Sequence, residues 1–182
     1  MRIFINSAFI VLLLLNLAGC ANTDPGVSLS ATDVDRLMAA NDNLIVPGER
    51  IGPVFIGMTE TQLYQKLGNP STTTRGDDGT WVRYEYDSLV LGLQVNPSTH
   101  KVNYVDNYFF GGNRGNVENF PYSTREGITV GSSELQIQTL SWKLYSKQQG
   151  KYAPQCWTFQ YTGIRISTCN GKVTSIGVHS PN

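Results

Sequence analysis

The side chains best able to do chemistry in this 182-residue chain are three cysteines, two histidines and a few clustered carboxylates. His100 falls in a predicted loop and His179 near the C-terminus. Metal-dependent hydrolysis of the His-Glu-x-x-His kind needs two histidines on one helical face with a glutamate between them, and neither histidine has such a neighbour. A nucleophile elbow needs Gly-x-Ser-x-Gly, and a phosphate-binding loop needs a glycine-rich turn running into Lys-Ser or Lys-Thr; neither occurs. Asp77-Asp78 lies in a Gly-flanked loop with Asp87 further on. Calcium needs more oxygen ligands at closer spacing, so this is read as a solvated turn. Gly111-Gly112-Asn113-Arg114-Gly115-Asn116 has no following Lys-Ser or Lys-Thr and reads as a flexible joint. No catalytic residue, metal site, cofactor or small-molecule substrate is expected, which leaves protein binding as the class of function.

The cysteines divide into one and two. Arg2 precedes a nearly continuous apolar stretch over residues 3–17, interrupted by Asn6, Ser7 and Asn16. That stretch is too short and wrongly flanked for a spanning helix, and has the build of a signal peptide. It ends in Leu17-Ala18-Gly19-Cys20, which resembles the lipobox of bacterial lipoproteins. The resemblance implies cleavage after residue 19, a diacylglyceryl group on the Cys20 thiol, and membrane attachment through that lipid. Ala21 and Asn22 follow, with no Asp beside the cysteine; by the same resemblance this implies sorting to the outer membrane, on its periplasmic face. An ordinary signal peptide with Cys20 beside its cut is the alternative. Without residues 1–19 the chain keeps 13 Lys and Arg against 14 Asp and Glu. A near-neutral chain offers no electrostatic reason to bind nucleic acid.

The elements that would carry a binding surface show in the periodicity. Eighteen glycines and only 15% charged residues favour short strands and turns over a helical bundle. Residues 20–48 read as a tether, with a short amphipathic helix around Val34, Leu37 and Met38 after Ser30 or Thr32. From Gly52 onward one grammar occurs twice. Thr59 stands three residues before Gln62, and Ser133 three before Gln136. Each pair is a capping box that starts a helix. The first helix carries Leu63 and Leu67 and stops at Gly68-Asn69-Pro70. Alternating strands follow: Val82, Tyr84 and Tyr86, then Asp87-Ser88, then Leu89 to Val95. The second set is Trp157, Phe159 and Tyr161, then Thr162-Gly163, then Ile164 and Ile166. Period two on both sides of a two-residue turn is a β-hairpin. A third strand is expected at 101–106 and at 172–178.

The hairpin register fixes the other two cysteines. With Tyr161 opposite Ile164, Cys156 falls opposite Cys169, within reach of a disulfide. In an oxidising compartment these two are expected to pair. No Cys-x-x-Cys spacing suggests redox work.

Gly57-Met58-Thr59, Gln62-Leu63, Leu67-Gly68-Asn69-Pro70, Trp81 and Tyr84-Glu85-Tyr86 together resemble the SmpA/OmlA (BamE-type) lipoprotein pattern over residues 52–106. The doubled form resembles the β-lactamase inhibitor protein fold. The second copy departs by reading Leu140-Ser141-Trp142 in place of the helix stop. These resemblances imply an α+β fold of two tandem units, each of short helices on a three- or four-stranded antiparallel sheet. The expected division is a signal peptide (1–19), a tether (20–48), a first repeat (49–106), a linker (107–126) and a second repeat (127–182). The expected function is a non-enzymatic scaffold or assembly factor that binds an envelope protein. The alternative is an inhibitor module against an envelope hydrolase such as a β-lactamase or lysozyme. Alternation places Trp81, Arg83, Glu85, Val90 and Gln94 on an exposed sheet face as candidate anchors. Tyr108-Phe109-Phe110 is a second candidate handle.

Overall fold

The computed structural model describes residues 29–107 and 119–181. Cys20, Tyr108-Phe109-Phe110 and the Gly-rich segment 111–116 lie outside the described residues.

The fold is α+β. Helix α1 (Ala31–Ala39) is capped by Ser30, whose hydroxyl accepts the Asp33 amide at 3.1 Å. Strands β1 (Leu44–Val46), β2 (Arg50–Ile51) and β3 (Val54–Phe55) form a small sheet. Helix α2 (Glu60–Leu67) leads into β4 (Thr72–Arg75), β5 (Val82–Tyr86), β6 (Leu91–Asn96) and β7 (Lys101–Asp106). Strand β8 (Ser123–Thr124) and helix α3 (Glu134–Gln138) precede β9 (Leu144–Gln149), β10 (Cys156–Tyr161), β11 (Ile164–Cys169) and β12 (Lys172–His179). The large sheet has eight strands in the order β4-β5-β6-β7-β12-β11-β10-β9. Its two halves join antiparallel at β7 and β12, with Asp106 opposite Gly177. The expectation of a separate sheet for each helix is thereby corrected. Joining the halves satisfies the backbone groups of two strands that would otherwise be edges.

Both helices are seated alike. Thr59 and Ser133 each close a capping box, accepting the Gln62 and Gln136 amides at 3.2 and 3.3 Å. The Gln62 and Gln136 side chains accept the cap amides at 2.8 Å in each case. Gly57 N–H donates to Val102 O at 2.7 Å, and Gly131 N–H to Val173 O at 2.8 Å. Each helix start is thus tied to the fourth strand after it. Leu63 and Ile137 are fully buried in one hydrophobic cluster with Tyr84, Leu93, Phe159 and Ile166. Helix α2 stops at Gly68, whose φ of 75° and ψ of −159° suit only glycine.

Three boundaries differ from expectation. The described part of the 20–48 segment is folded rather than a free tether, since Leu37 and Ile45 are buried. Lys66 on α2 donates to the Leu37 and Ala40 carbonyls at 3.0 and 2.7 Å, capping α1 from outside. Strand β8 lies inside the expected linker and pairs in parallel with β1. Gly48 N–H donates to Gly163 O at 2.8 Å, so the β10–β11 hairpin tip also touches the small sheet. A Cβ on Gly163 would sit 2.4 Å from Gly48 N, which explains glycine there. The first hairpin also turns later than expected. Tyr86 pairs with Leu91, not Leu89, across a 3-10 turn at Asp87–Leu89 and a left-handed Val90. The shift is two residues, so every side chain keeps its face.

Candidate binding surfaces

The β10–β11 register matches the sequence expectation pair for pair, from Tyr161 opposite Ile164 to Cys156 opposite Cys169. The two cysteines are disulfide-bonded, with Cα atoms 4.0 Å apart. The bond closes the end of the hairpin next to the 150–155 loop, where Gly150 N–H donates to Cys156 O at 2.9 Å.

The candidate face in the first half behaves otherwise. Arg83 and Glu85 are 1% and 6% exposed, Val90 is buried in the turn, and Gln94 is half-buried. The exposed face expected at Trp81, Arg83, Glu85, Val90 and Gln94 is therefore corrected. Alternation separates polar from apolar side chains but cannot distinguish solvated charge from paired, buried charge. Here the charges pair. Arg83 Nη2 donates to Asp106 Oδ1 at 2.6 Å, and its Nε lies 3.5 Å from Glu85 Oε1. Half-buried Trp81 lies over the preceding turn: a Cβ on Gly76 would meet its indole at 2.7 Å.

The same face continues across the join. Tyr104 crosses Gly177, where a Cβ would come within 2.0 Å of its hydroxyl, and reaches Arg165. Arg165 donates to the Tyr104 hydroxyl at 2.5 Å with its guanidinium over the ring. Burial, aided by the Asp106 charge, pushes the Tyr104 hydroxyl up to about 12. Beyond Tyr104 the face opens: Arg165 is exposed, and Thr158, Gln160 and Ser167 are half-buried.

A titratable cluster sits at the start of α2. The Tyr84 hydroxyl donates to Glu60, and the imidazole of exposed His100 lies 2.8 Å from the other Glu60 oxygen. The Tyr84 bond, then His100, holds the Glu60 carboxyl below its ordinary value against the opposing effect of burial. Burial and the Glu60 charge push the Tyr84 hydroxyl up. The corresponding Glu134 on α3 accepts from Thr168 Oγ1 at 2.8 Å and meets Lys147 at 3.4 Å. In both places the first helical carboxylate hydrogen-bonds to its own sheet, so the cluster serves as a helix anchor. Sequence reasoning missed it because Glu60, Tyr84 and His100 lie on three different elements. Among the described residues no group of three or more His, Cys, Asp or Glu side chains could hold a metal ion. An open hollow of about 420 Å³ is lined by Glu126, Ile128, Gln136, Thr139, Leu140 and Ser141.

The third surface borders the second half. Among the described residues strand β9 is an outer strand, paired only with β10. Leu144 and Tyr145 on it are 47% and 50% exposed, Leu135 on α3 is 70% exposed, and Tyr152 in the 150–155 loop is 89% exposed. Lys147 lies over the Trp157 and Phe159 rings at 4.4 and 4.8 Å, while Lys143 and Lys151 lie over Tyr145 and Tyr152. Residues 127–182 hold five Lys and Arg against the single Glu134, whereas residues 20–126 hold 13 Asp and Glu against eight Lys and Arg. Charge balance over the whole chain conceals this asymmetry.

No family model matches the chain. No curated protein matches it. Among solved structures it is similar to an extracellular protein containing an SCP domain from Bacillus anthracis, at 11% identity and TM-score 0.41, over 69% of this chain and 44% of that one. It is also similar to a cysteine-rich secretory protein from Staphylococcus aureus, at 11% identity and TM-score 0.43, over 78% of this chain and 50% of that one. The chain spans about half the length of each, and similarity at this level carries no argument about activity. The comparisons overturn the expected kinship. No SmpA/OmlA model matches, and both similar structures are described as SCP-domain or cysteine-rich secretory proteins. The first resemblance rests on a capping box, a Gly/Pro helix stop and a Trp/Tyr strand, and the one to the β-lactamase inhibitor protein on the repeat of the helix start and hairpin. Any helix laid on a sheet can use them.

Proposed function

We propose that this chain is a non-enzymatic protein-binding module of the cell envelope. It is anchored by a lipid on Cys20 at the periplasmic face of the outer membrane, where it acts as a scaffold or assembly factor for another envelope protein. The observation that carries the binding reading is the exposure of Leu135, Leu144, Tyr145 and Tyr152, on α3, on β9 and in the loop after it. Exposed apolar groups gathered in one region mark interaction sites more often than chance. The anchor reading rests on Leu17-Ala18-Gly19-Cys20. The disulfide suits an oxidising compartment.

The scaffold is read as a duplicated unit of one helix and four strands. The matched capping boxes and matched amide bonds from Gly57 and Gly131 support this. So does the join, where β7 and β12 meet with Asp106 opposite Gly177, the corresponding positions of the two units.

A second reading, as an inhibitor of an envelope hydrolase, is favoured by one feature. Tyr152 stands at 89% exposure on a short loop braced by the Cys156–Cys169 bond and by Gln149 donating to Pro154 O at 2.6 Å. A rigid loop with a projecting aromatic can enter an enzyme cleft. Affinity capture from envelope extract with the full-length protein and with Tyr152→Ser tests both readings. The scaffold reading expects a membrane-associated partner retained by the variant. The inhibitor reading expects a soluble hydrolase whose activity falls on binding and which the variant releases. Absence of any stable complex contradicts both.

A further inference from the structure

We propose that β9 is a docking edge, at which an extended acidic segment of the partner protein adds as a ninth strand to the large sheet. The inference rests on the protein-binding reading above and names the partner's chemistry.

The two outer strands of the sheet differ. Strand β4 has four residues, is wholly polar, and is bounded by Pro70 and by the tight Gly76–Thr80 turn under Trp81. Short strands and flanking proline are devices that blunt an edge. Strand β9 has six residues, nearly all exposed; among the described residues only β10 pairs with it, regularly over Ser146–Gln149 and with a register shift at Tyr145. One side of it therefore presents a row of backbone N–H and C=O groups about 20 Å long with no strand of the described residues opposite. Added strands are held by such groups, while side-chain pockets select them. Leu144 and Tyr145 on the strand, and Tyr152 beyond its end, supply apolar contacts.

Charge selects the occupant. Lys143, Lys147 and Lys151 lie on or beside β9, and Glu134 is the only carboxylate in residues 127–182. Two β9 strands paired antiparallel about Lys147 would set Lys147 against Lys147 and Lys143 against Lys151, and like charges opposite one another are destabilising. That register disfavours a second copy, whereas an acidic strand meets the lysines with opposite charge. An anionic bilayer would meet the lysines but leave the edge backbone groups unsatisfied in hydrocarbon. Only a strand answers both features.

The test is amide hydrogen exchange, read by mass spectrometry on the full-length protein in mild detergent. The probes are a peptide of alternating Glu and Val, its Lys and Val counterpart, and vesicles containing phosphatidylglycerol. The acidic peptide should slow exchange over residues 144–149 and leave 72–75 unchanged. The basic peptide should bind at least about tenfold more weakly, the sum of a few cross-strand charge pairs. Lys143→Glu with Lys151→Glu should reverse that preference. Both side chains are exposed, so the variant should melt like the parent, and Lys147 keeps its contact with Glu134. Equal protection by both peptides, protection only outside 144–149, or protection by vesicles alone would overturn the proposal. If the peptides fail while the envelope complex persists, only the edge assignment falls. Loss of the envelope complex as well removes the protein-binding reading.

Discussion

The two halves of the large sheet share an architecture and use its polar face in opposite ways. In the first half the row through Arg83, Glu85 and Asp106 is buried and internally paired. In the second half the corresponding positions hold Thr158, Gln160 and Gly177, and that face is partly open, with Arg165 exposed. Charged groups follow the same division, since the acidic excess lies before residue 127 and the basic excess after it. A doubled scaffold can thus devote one half to cohesion and the other to contact. Cohesion takes side chains of both signs that satisfy each other. Contact leaves one sign unmatched, together with an open edge.

The sharpest way to break this comparison is at Arg83. Arg83→Met should cost about 3–5 kcal/mol, because it removes the buried cation that lies against Asp106 and Glu85. Thr158→Val at the corresponding place should change stability by less than about 0.5 kcal/mol, as expected away from such networks. Equal effects in denaturant melts would dissolve the distinction between the halves. On the apolar face the halves should respond alike. Tyr161→Ala should cost about 3 kcal/mol, since its ring packs against Trp142 and its site cannot close fully. Trp81→Ala, at a half-buried ring over a turn, should cost less than half of that, and thermal melts of the pair would check the order.

The next effect is peculiar to the second half. Reduction, or Cys156→Ser with Cys169→Ser, should cost about 2–3 kcal/mol by freeing a short closed loop in the unfolded chain. Exchange should rise first around residues 150–156, with the first half untouched. The smallest effect belongs to α2. Glu60 is held below its ordinary value of 4.5, chiefly by the Tyr84 hydroxyl. Its contribution is present above pH 4.5 and is lost as the pH falls through the lowered value. Glu60→Gln should therefore narrow the stability gap between neutral and acid conditions, and Tyr84→Phe should raise the Glu60 titration seen by NMR.

Where local chemistry settles the structure, the sequence is legible. Capping boxes and strict alternation about Thr162-Gly163 locate α2, α3 and the Cys156–Cys169 pair. Strands β4 and β9 escape notice because an edge strand need not alternate. Thr72-Thr73-Thr74-Arg75 and Leu144-Tyr145-Ser146-Lys147-Gln148-Gln149 carry no periodic apolar face. The late turn at Val90 is hidden because Leu89 continues the alternation, and a two-residue slip leaves the pattern intact. Burial of Arg83 is illegible because its partner Asp106 is 23 residues away, two strands over. The open border at β9 shows only once α3, β9 and the 150–155 loop are placed side by side.

The most direct test of the central claim is site-specific photo-crosslinking in intact cells. A photoreactive residue at Tyr145 on β9 would be compared with one at Thr73 on β4, each in the full-length protein. The two positions lie on the opposite outer strands of one sheet. A single discrete protein adduct at Tyr145, with none at Thr73, is the predicted result. An adduct at Thr73 alone, or none at either position, would contradict the assignment of contact to the second half.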